Sequence, residues 1–154
     1  MTTYKVGYFV GSLSSTSINR ILSKALIRVA PDDLEFSEIP IGNLPLYSPD
    51  FDNDYPPEAR ALKASIAAVD AILFVTPEYN RSIPGALKNA IDWASRPWGQ
   101  NSFDHIPAAV IGASVGQIGT AHGSTRPARC AQLLQRPPDD LTRGLHPVLP
   151  RGLS

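Results

Sequence analysis

The sequence predicts one α/β domain built on a doubly wound parallel sheet. Strands and helices alternate along the chain from Tyr4 to Ala113. Two of the strands, Tyr4–Val10 and Ala71–Thr76, are short, nearly continuous apolar runs rich in β-branched and aromatic residues. Such runs are the mark of strands buried on both faces. Three strands end in loops of small or polar residues, which is where open α/β sheets hold ligands.

Tyr4 to Val10 is the first strand. The loop Gly11-Ser12-Leu13-Ser14-Ser15-Thr16-Ser17-Ile18-Asn19 follows, and then a helix with Ile18, Ile21, Leu22, Ala25, Leu26 and Val29 at helical spacing. Pro31-Asp32-Asp33 ends that helix. Leu34 to Ile39 alternates and reads as a second, more exposed strand. Residues 40–57 read as loop, rich in Pro, Asp and Asn, with Leu44-Pro45-Leu46-Tyr47 at its centre. Ala59 to Val69 is the second helix. Ala71 to Thr76 is the third strand, followed by the polar tip Pro77-Glu78-Tyr79-Asn80. Pro84 and Gly85 lead into a third helix through Ala86, Leu87, Ala90, Ile91 and Trp93; Pro84 suits a first turn, where its missing N–H costs nothing. Ile106 to Ala113 is the fourth strand, ending in Ser114-Val115-Gly116-Gln117-Ile118-Gly119.

A chain of 154 residues is long enough for one domain with a substantial core. Its formal charge of zero argues against nucleic acid or an anionic membrane as partner. No apolar run approaches the length of a membrane span. The N-terminus enters a strand directly, so no signal peptide is expected, and a cytoplasmic location follows. A single cysteine, Cys130, excludes an internal disulfide. His105 and His122 lack metal-ligand companions, and no metal is expected.

The first loop carries the clearest chemistry. A Gly/Ser loop running from strand into helix offers backbone N–H groups and hydroxyls at a positive helix N-terminus, which suits a phosphate. Ordinary N-capping is the competing explanation, but one hydroxyl residue satisfies it, and five are present: Ser12, Ser14, Ser15, Thr16 and Ser17. Neither a Walker-type loop nor a Gly-x-Gly-x-x-Gly fingerprint is present. A hydroxyl-lined loop without an obligatory lysine suits a terminal monophosphate such as that of FMN. In sheets of strand order 2-1-3-4-5 that cofactor lies between the first and third strands, where Ser12–Asn19 and Pro77–Asn80 would meet.

These residues resemble a known family. Gly11-Ser12-Leu13 with Ser17 and Asn19, the run Pro77-Glu78-Tyr79-Asn80 with Pro84-Gly85 and Leu87 to Trp93, and Gly112 to Gly116 with Gly119 are similar to the NADPH-dependent FMN reductases, which include bacterial chromate, quinone and azo-dye reductases. The resemblance covers roughly residues 4–121, and Pro77 to Trp93 is its specific part. It implies a flavodoxin-like fold of order 2-1-3-4-5. It implies a cofactor site at Gly11, with the FMN phosphate on Ser12, Ser17, Ile18 and Asn19; Pro77, Glu78, Tyr79 and Asn80 bordering the flavin ring; and Ser114 and Gly116 closing the other edge. NADPH or NADH would deliver a hydride and a small-molecule acceptor would take the electrons. The flavin carries that chemistry, so no catalytic side chain is required. A homodimer or homotetramer is implied as well. The family commonly has Arg where this chain has Ser14, which removes a cation from the phosphate loop.

Other residues read as structural. Lys88 and Asp92 form an i,i+4 pair on a helix. Trp93 and Trp98 read as packing or interface residues. Two rival functions stay open: a flavodoxin-like electron carrier that binds FMN without reacting with nicotinamide, and an inactive, truncated paralogue.

The character of the chain changes after Ala121. Residues 121–154 hold five arginines, five prolines and no lysine, and no aromatic residue follows Phe103. Residues 1–121 therefore read as the FMN-binding domain and 122–154 as an atypical Pro/Arg-rich segment in which the fifth strand and last helix are missing or degraded. A reading-frame shift near residue 121 accounts for this. With suitable synonymous codons, residues 122–153 read out of frame encode an amphipathic helix followed by an apolar strand.

Overall fold

The computed structural model describes residues 2–115 and Thr120. Four parallel strands, β1 (Tyr4–Val10), β2 (Leu34–Glu38), β3 (Ala71–Val75) and β4 (Ala108–Ile111), form one sheet in the order β2-β1-β3-β4. This is the expected order as far as the fourth strand. The expected fifth strand, last helix and frame shift concern residues outside those described. Three helices connect the strands: α1 (Ile18–Val29), α2 (Pro57–Ala67) and α3 (Gly85–Ser95). The chain leaves β1 toward β2 on one side and then returns to place β3 on the other, so the topological switch lies between β1 and β3.

Alternation along the strands divides the sheet into two faces. Phe9, Ile72 and Phe74 point toward α2 and α3 and join a core with Ala59, Leu62, Ile66, Leu87, Ala90, Ile91, Trp93 and Ala94. Phe9 and Phe74 are register partners, and their rings stack at 5.2 Å. Gly7 on the same face leaves room for Ile39 and Val69, whose side chains would crowd a Cβ there. Val6, Val10 and Val75 point the other way and are covered on the α1 side.

The spacing on α1 predicts a buried apolar stripe, and the structure departs from it. Its buried residues are Asn19 and Ser23, while Ile18, Ile21 and Val29 are exposed. The polar pair, one turn apart, is satisfied locally: Ser23 Oγ donates to the Arg20 carbonyl at 2.9 Å, and Asn19 bonds across to the end of β4.

Residues 40–57, expected as loop, contain a one-turn 3-10 helix at Pro49–Phe51, capped by Ser48. The remainder is tied to α3. Asn89 and Trp93, one turn apart, both donate to the Pro45 carbonyl, at 2.9 and 2.7 Å, and Asn89 Oδ1 accepts the Tyr47 N–H. Tyr47 and Tyr55 meet the Trp93 ring edge-on. Trp93 is thus a packing residue, whereas Trp98 stands out in solvent beside Arg96. At the end of α3, Lys63 Nζ donates to the carbonyls of Ala94, Arg96 and Gln100, supplying a cation where the helix dipole is negative. Some element ends shift by one or two residues from expectation. α2 begins at Pro57, since proline fits a first turn. β4 shortens to Ala108–Ile111 because Pro107 has only a carbonyl to offer the ladder, which it gives to Ile72.

Candidate functional site

Three strand ends meet in one row. Val10 pairs with Val75, and Val75 with Ile111, so Gly11, Thr76 and Gly112 follow in register. The ladder continues one bond further on each side: Gly11 N–H donates to Val75 O at 2.8 Å and Thr76 N–H to Ile111 O at 2.9 Å. Thr76 is fully buried. A Cβ on Gly11 would overlap the Thr76 side chain, and one on Gly112 would overlap the Thr76 carbonyl oxygen. Both glycines are therefore required by close approach, and the three loops leave the sheet from one tight row.

The first loop organises itself. Ser12 Oγ accepts the Ser14 N–H, and Ser14 Oγ accepts the Thr16 N–H and lies 3.1 Å from the Thr16 hydroxyl. Ser17 is the N-cap of α1, its Oγ accepting the Arg20 N–H at 3.2 Å. Part of the hydroxyl excess thus goes into folding the loop. Accepting one bond still leaves a hydroxyl proton to donate. The backbone N–H groups of Ile18 and Asn19, in the first turn of α1, have no acceptor among the described residues.

Asn19, expected at the phosphate, spends its side-chain amide on the end of β4. The residue is 1% exposed and its side chain is turned to the end of β4: Oδ1 accepts the Ala113 N–H at 2.9 Å, and Nδ2 donates to the Ala113 carbonyl at 3.0 Å.

The tip after β3 is a tight hairpin. Tyr79 and Ser82 exchange both backbone hydrogen bonds, at 2.8 and 2.9 Å, around Asn80 and Arg81. Both central residues have positive φ, 51° and 60°, the signature of a type I′ turn. Asn tolerates this; Arg does so at a cost, and Arg81 is the position sequence reasoning passed over. The one available signal was Asn80, which favours such turns. Pro77 and Glu78 are half-buried at the base, and Tyr79 is exposed at the tip. On the third loop, Ala113 is half-buried and Ser114 and Val115 are exposed. Gly116 lies outside the described residues.

The first loop has no cation of its own. Arg20, in the first turn of α1, is committed to Glu38 at 2.7 Å, and that carboxylate also accepts the Tyr8 hydroxyl at 3.5 Å. Burial first, then the Glu38 charge, raises the Tyr8 pKa, and the hydrogen bond to Glu38 raises that of Arg20. The donors this loop could offer an anion thus carry no fixed charge. They suit a monophosphate at the N-terminus of a three-turn helix, so the residues present fit the FMN expectation.

The family model of the NADPH-dependent FMN reductases matches residues 4–134. A 2-hydroxy-1,4-benzoquinone reductase of a Burkholderia species is 57% identical over 117 residues, 76% of this chain and 64% of that protein. A quinone reductase of Pseudomonas putida is 49% identical over 117 residues, 75% of this chain and 63% of its own length. The chain thus spans less than two thirds of either relative. The structure of FerB, a flavoenzyme NAD(P)H:(acceptor) oxidoreductase from Paracoccus denitrificans, superposes with a TM-score of 0.82 at 47% identity, covering 86% of this chain and 72% of that one. A flavodoxin, WrbA-like protein of Agrobacterium tumefaciens, with a TM-score of 0.55 at 20% identity, shares the fold. The order of the four strands, the loops that meet above Thr76 and the match over residues 4–134 agree: the chain belongs to the NADPH-dependent FMN reductase family.

Proposed function

We propose that this chain is an FMN-dependent NAD(P)H oxidoreductase that passes electrons to quinones. The observation that carries the reading is the row Gly11–Thr76–Gly112, which brings a hydroxyl-lined helix N-terminus and two further loops to one place at the switch point. In this reading the Ser12 and Ser17 hydroxyls and the N–H groups of Ile18 and Asn19 take the FMN phosphate beside Gly11. Pro77, Glu78, Tyr79 and Asn80 border one edge of the ring, and Ser114 and Gly116 border the other. Bound FMN would supply the redox chemistry, accepting hydride from the nicotinamide and reducing the acceptor. The chain's part is to orient the ring and keep donors near it that favour negative charge.

The names of the two relatives support quinones as the acceptor class. Chromate, azo dyes and free flavin are further acceptors in the same proposal. A homodimer or homotetramer working in the cytoplasm completes it, with residues 1–121 as the FMN domain and 122–154 as an atypical segment. Sequencing the encoding DNA tests the frame shift: no single-base change restoring a helix and strand would refute it.

The functional test is anaerobic addition of NADPH to the FMN-loaded chain, followed by a benzoquinone. Bleaching of the flavin by NADPH and its return on adding quinone is the expected result. Flavin that binds but is not bleached would make the protein an electron carrier instead.

A further inference from the structure

Asn19 occupies the second position of α1, beside the proposed phosphate site, yet both ends of its amide are spent 94 residues away on the backbone of one residue, Ala113. The direction of these bonds is fixed, because a backbone N–H can only donate and a carbonyl can only accept. Both polar atoms of the amide are thus already bonded to the protein. Asn has the shape for this. Asp lacks the donor, Ser offers one atom, and Gln is a methylene longer.

What Asn19 holds is the start of the third loop. Ala113 follows Gly112, which is pressed against the Thr76 carbonyl, and precedes Ser114, which borders the proposed ring site. Gly112 references this loop to β3; Asn19 references it to the first turn of α1. β4 is only four residues long, with no strand on its far side among the described residues, so its end gains little positional constraint from the ladder.

We infer that Asn19 is a positioning residue whose side chain serves the flavin ring rather than the phosphate: it sets the distance between the phosphate loop and the Ala113–Ser114 loop. The inference rests on the FMN reading above. Its signature is unusual for a residue inside a phosphate loop, because removing the side chain should weaken a flavin that has no phosphate.

The test titrates the full chain, Asn19→Ala and Asn19→Asp with FMN and with riboflavin, which has the same ring and no phosphate. Two hydrogen bonds of ordinary net strength correspond to about tenfold or more in affinity. Asn19→Ala is expected to weaken FMN and riboflavin by the same factor, to alter the visible circular dichroism of the bound flavin, and to slow its reduction by saturating NADPH. Asn19→Asp keeps an acceptor for the Ala113 N–H and should recover part of the riboflavin affinity. Loss for FMN with riboflavin unchanged would overturn the inference and assign the side chain to the phosphate. Unchanged dichroism and reduction rate at saturation would overturn it in favour of a purely structural role. If Asn19→Ala does not fold, Asn19→Asp decides, since riboflavin affinity and dichroism equal to those of the unsubstituted chain would contradict the inference. Failure of the unsubstituted chain to bind either flavin would instead refute the FMN reading itself.

Discussion

On the α2/α3 side of the sheet, Phe9, Ile72 and Phe74 meet a continuous apolar layer centred on Trp93, which contacts three aromatic rings and donates its indole N–H. On the α1 side, the buried helix residues are Asn19 and Ser23. One face gathers large side chains that gain from leaving water; the other accepts buried polar atoms and satisfies each of them. Stability and site geometry are therefore kept on opposite faces of the sheet. The apolar face holds β1, β3 and α3 in place, and the polar face sets how the loops above the sheet meet.

Trp93→Ala should break the first face. Truncation of a buried Trp costs about 3–5 kcal/mol, and the Pro45 carbonyl would keep only its bond from Asn89. Urea denaturation should show this loss, exceeding that of any substitution on the α1 side. A cost below that of Asn19→Ala would reverse the comparison.

Gly112→Ala probes the row where the two faces end. The added methyl would meet a backbone oxygen, which cannot swing aside as a side chain can. Overpacking of this kind costs about 1–3 kcal/mol, and here the displaced group is the end of β3. Flavin affinity should fall more steeply than the urea midpoint; a fall in the midpoint alone would mean the row is structural only.

Arg81→Gly sharpens the contrast from the other direction. A non-glycine residue in the left-handed region costs about 1–2 kcal/mol, partly offset by the extra freedom of glycine in the unfolded chain. The variant should therefore be more stable by up to about 1 kcal/mol, read as a higher urea midpoint. A lower midpoint would show that contacts of the Arg81 side chain outweigh the strain.

Alkaline pH titrates the apolar face. Burial, reinforced by the charges of Asp52 and Tyr47, pushes the Tyr55 pKa from 10.0 up to about 12. A raised folded-state value means the neutral phenol is favoured in the native protein. Its contribution is fully present below pH 10 and is lost as pH rises toward 12. Tyr55→Phe should flatten that part of the stability profile, and an unaltered slope would assign the loss to other groups. The smallest effect belongs to Lys88→Ala. Its pair with Asp92 is exposed, and such helix pairs contribute about 0.2–0.5 kcal/mol, so a larger change in the thermal midpoint would place Lys88 in an interface.

The legible parts of the fold were those governed by local pattern. β1 and β3 are apolar runs, α3 has a clean period, and the order of elements followed from their alternation. The buried face of α1 was illegible because Asn19 and Ser23 are polar, and their partners lie on the backbone rather than in the pattern. The structure of residues 40–57 was hidden for a related reason: Pro45 is held by Asn89 and Trp93, more than forty residues away. The hairpin at Asn80-Arg81 carries only half the usual signal, since Arg stands where Gly would announce the turn. Within the candidate site, the loops were legible from Gly, Ser and Pro, but the division of labour in Asn19 between backbone and side chain was not.

The central question is whether these loops bind FMN. Titration of the purified chain with FMN, followed by quenching of flavin fluorescence and with folding checked by circular dichroism, tests this most directly. Saturable binding of one FMN per chain, weakened by Ser17→Ala, is the predicted result. A folded chain that leaves flavin fluorescence unchanged would contradict it.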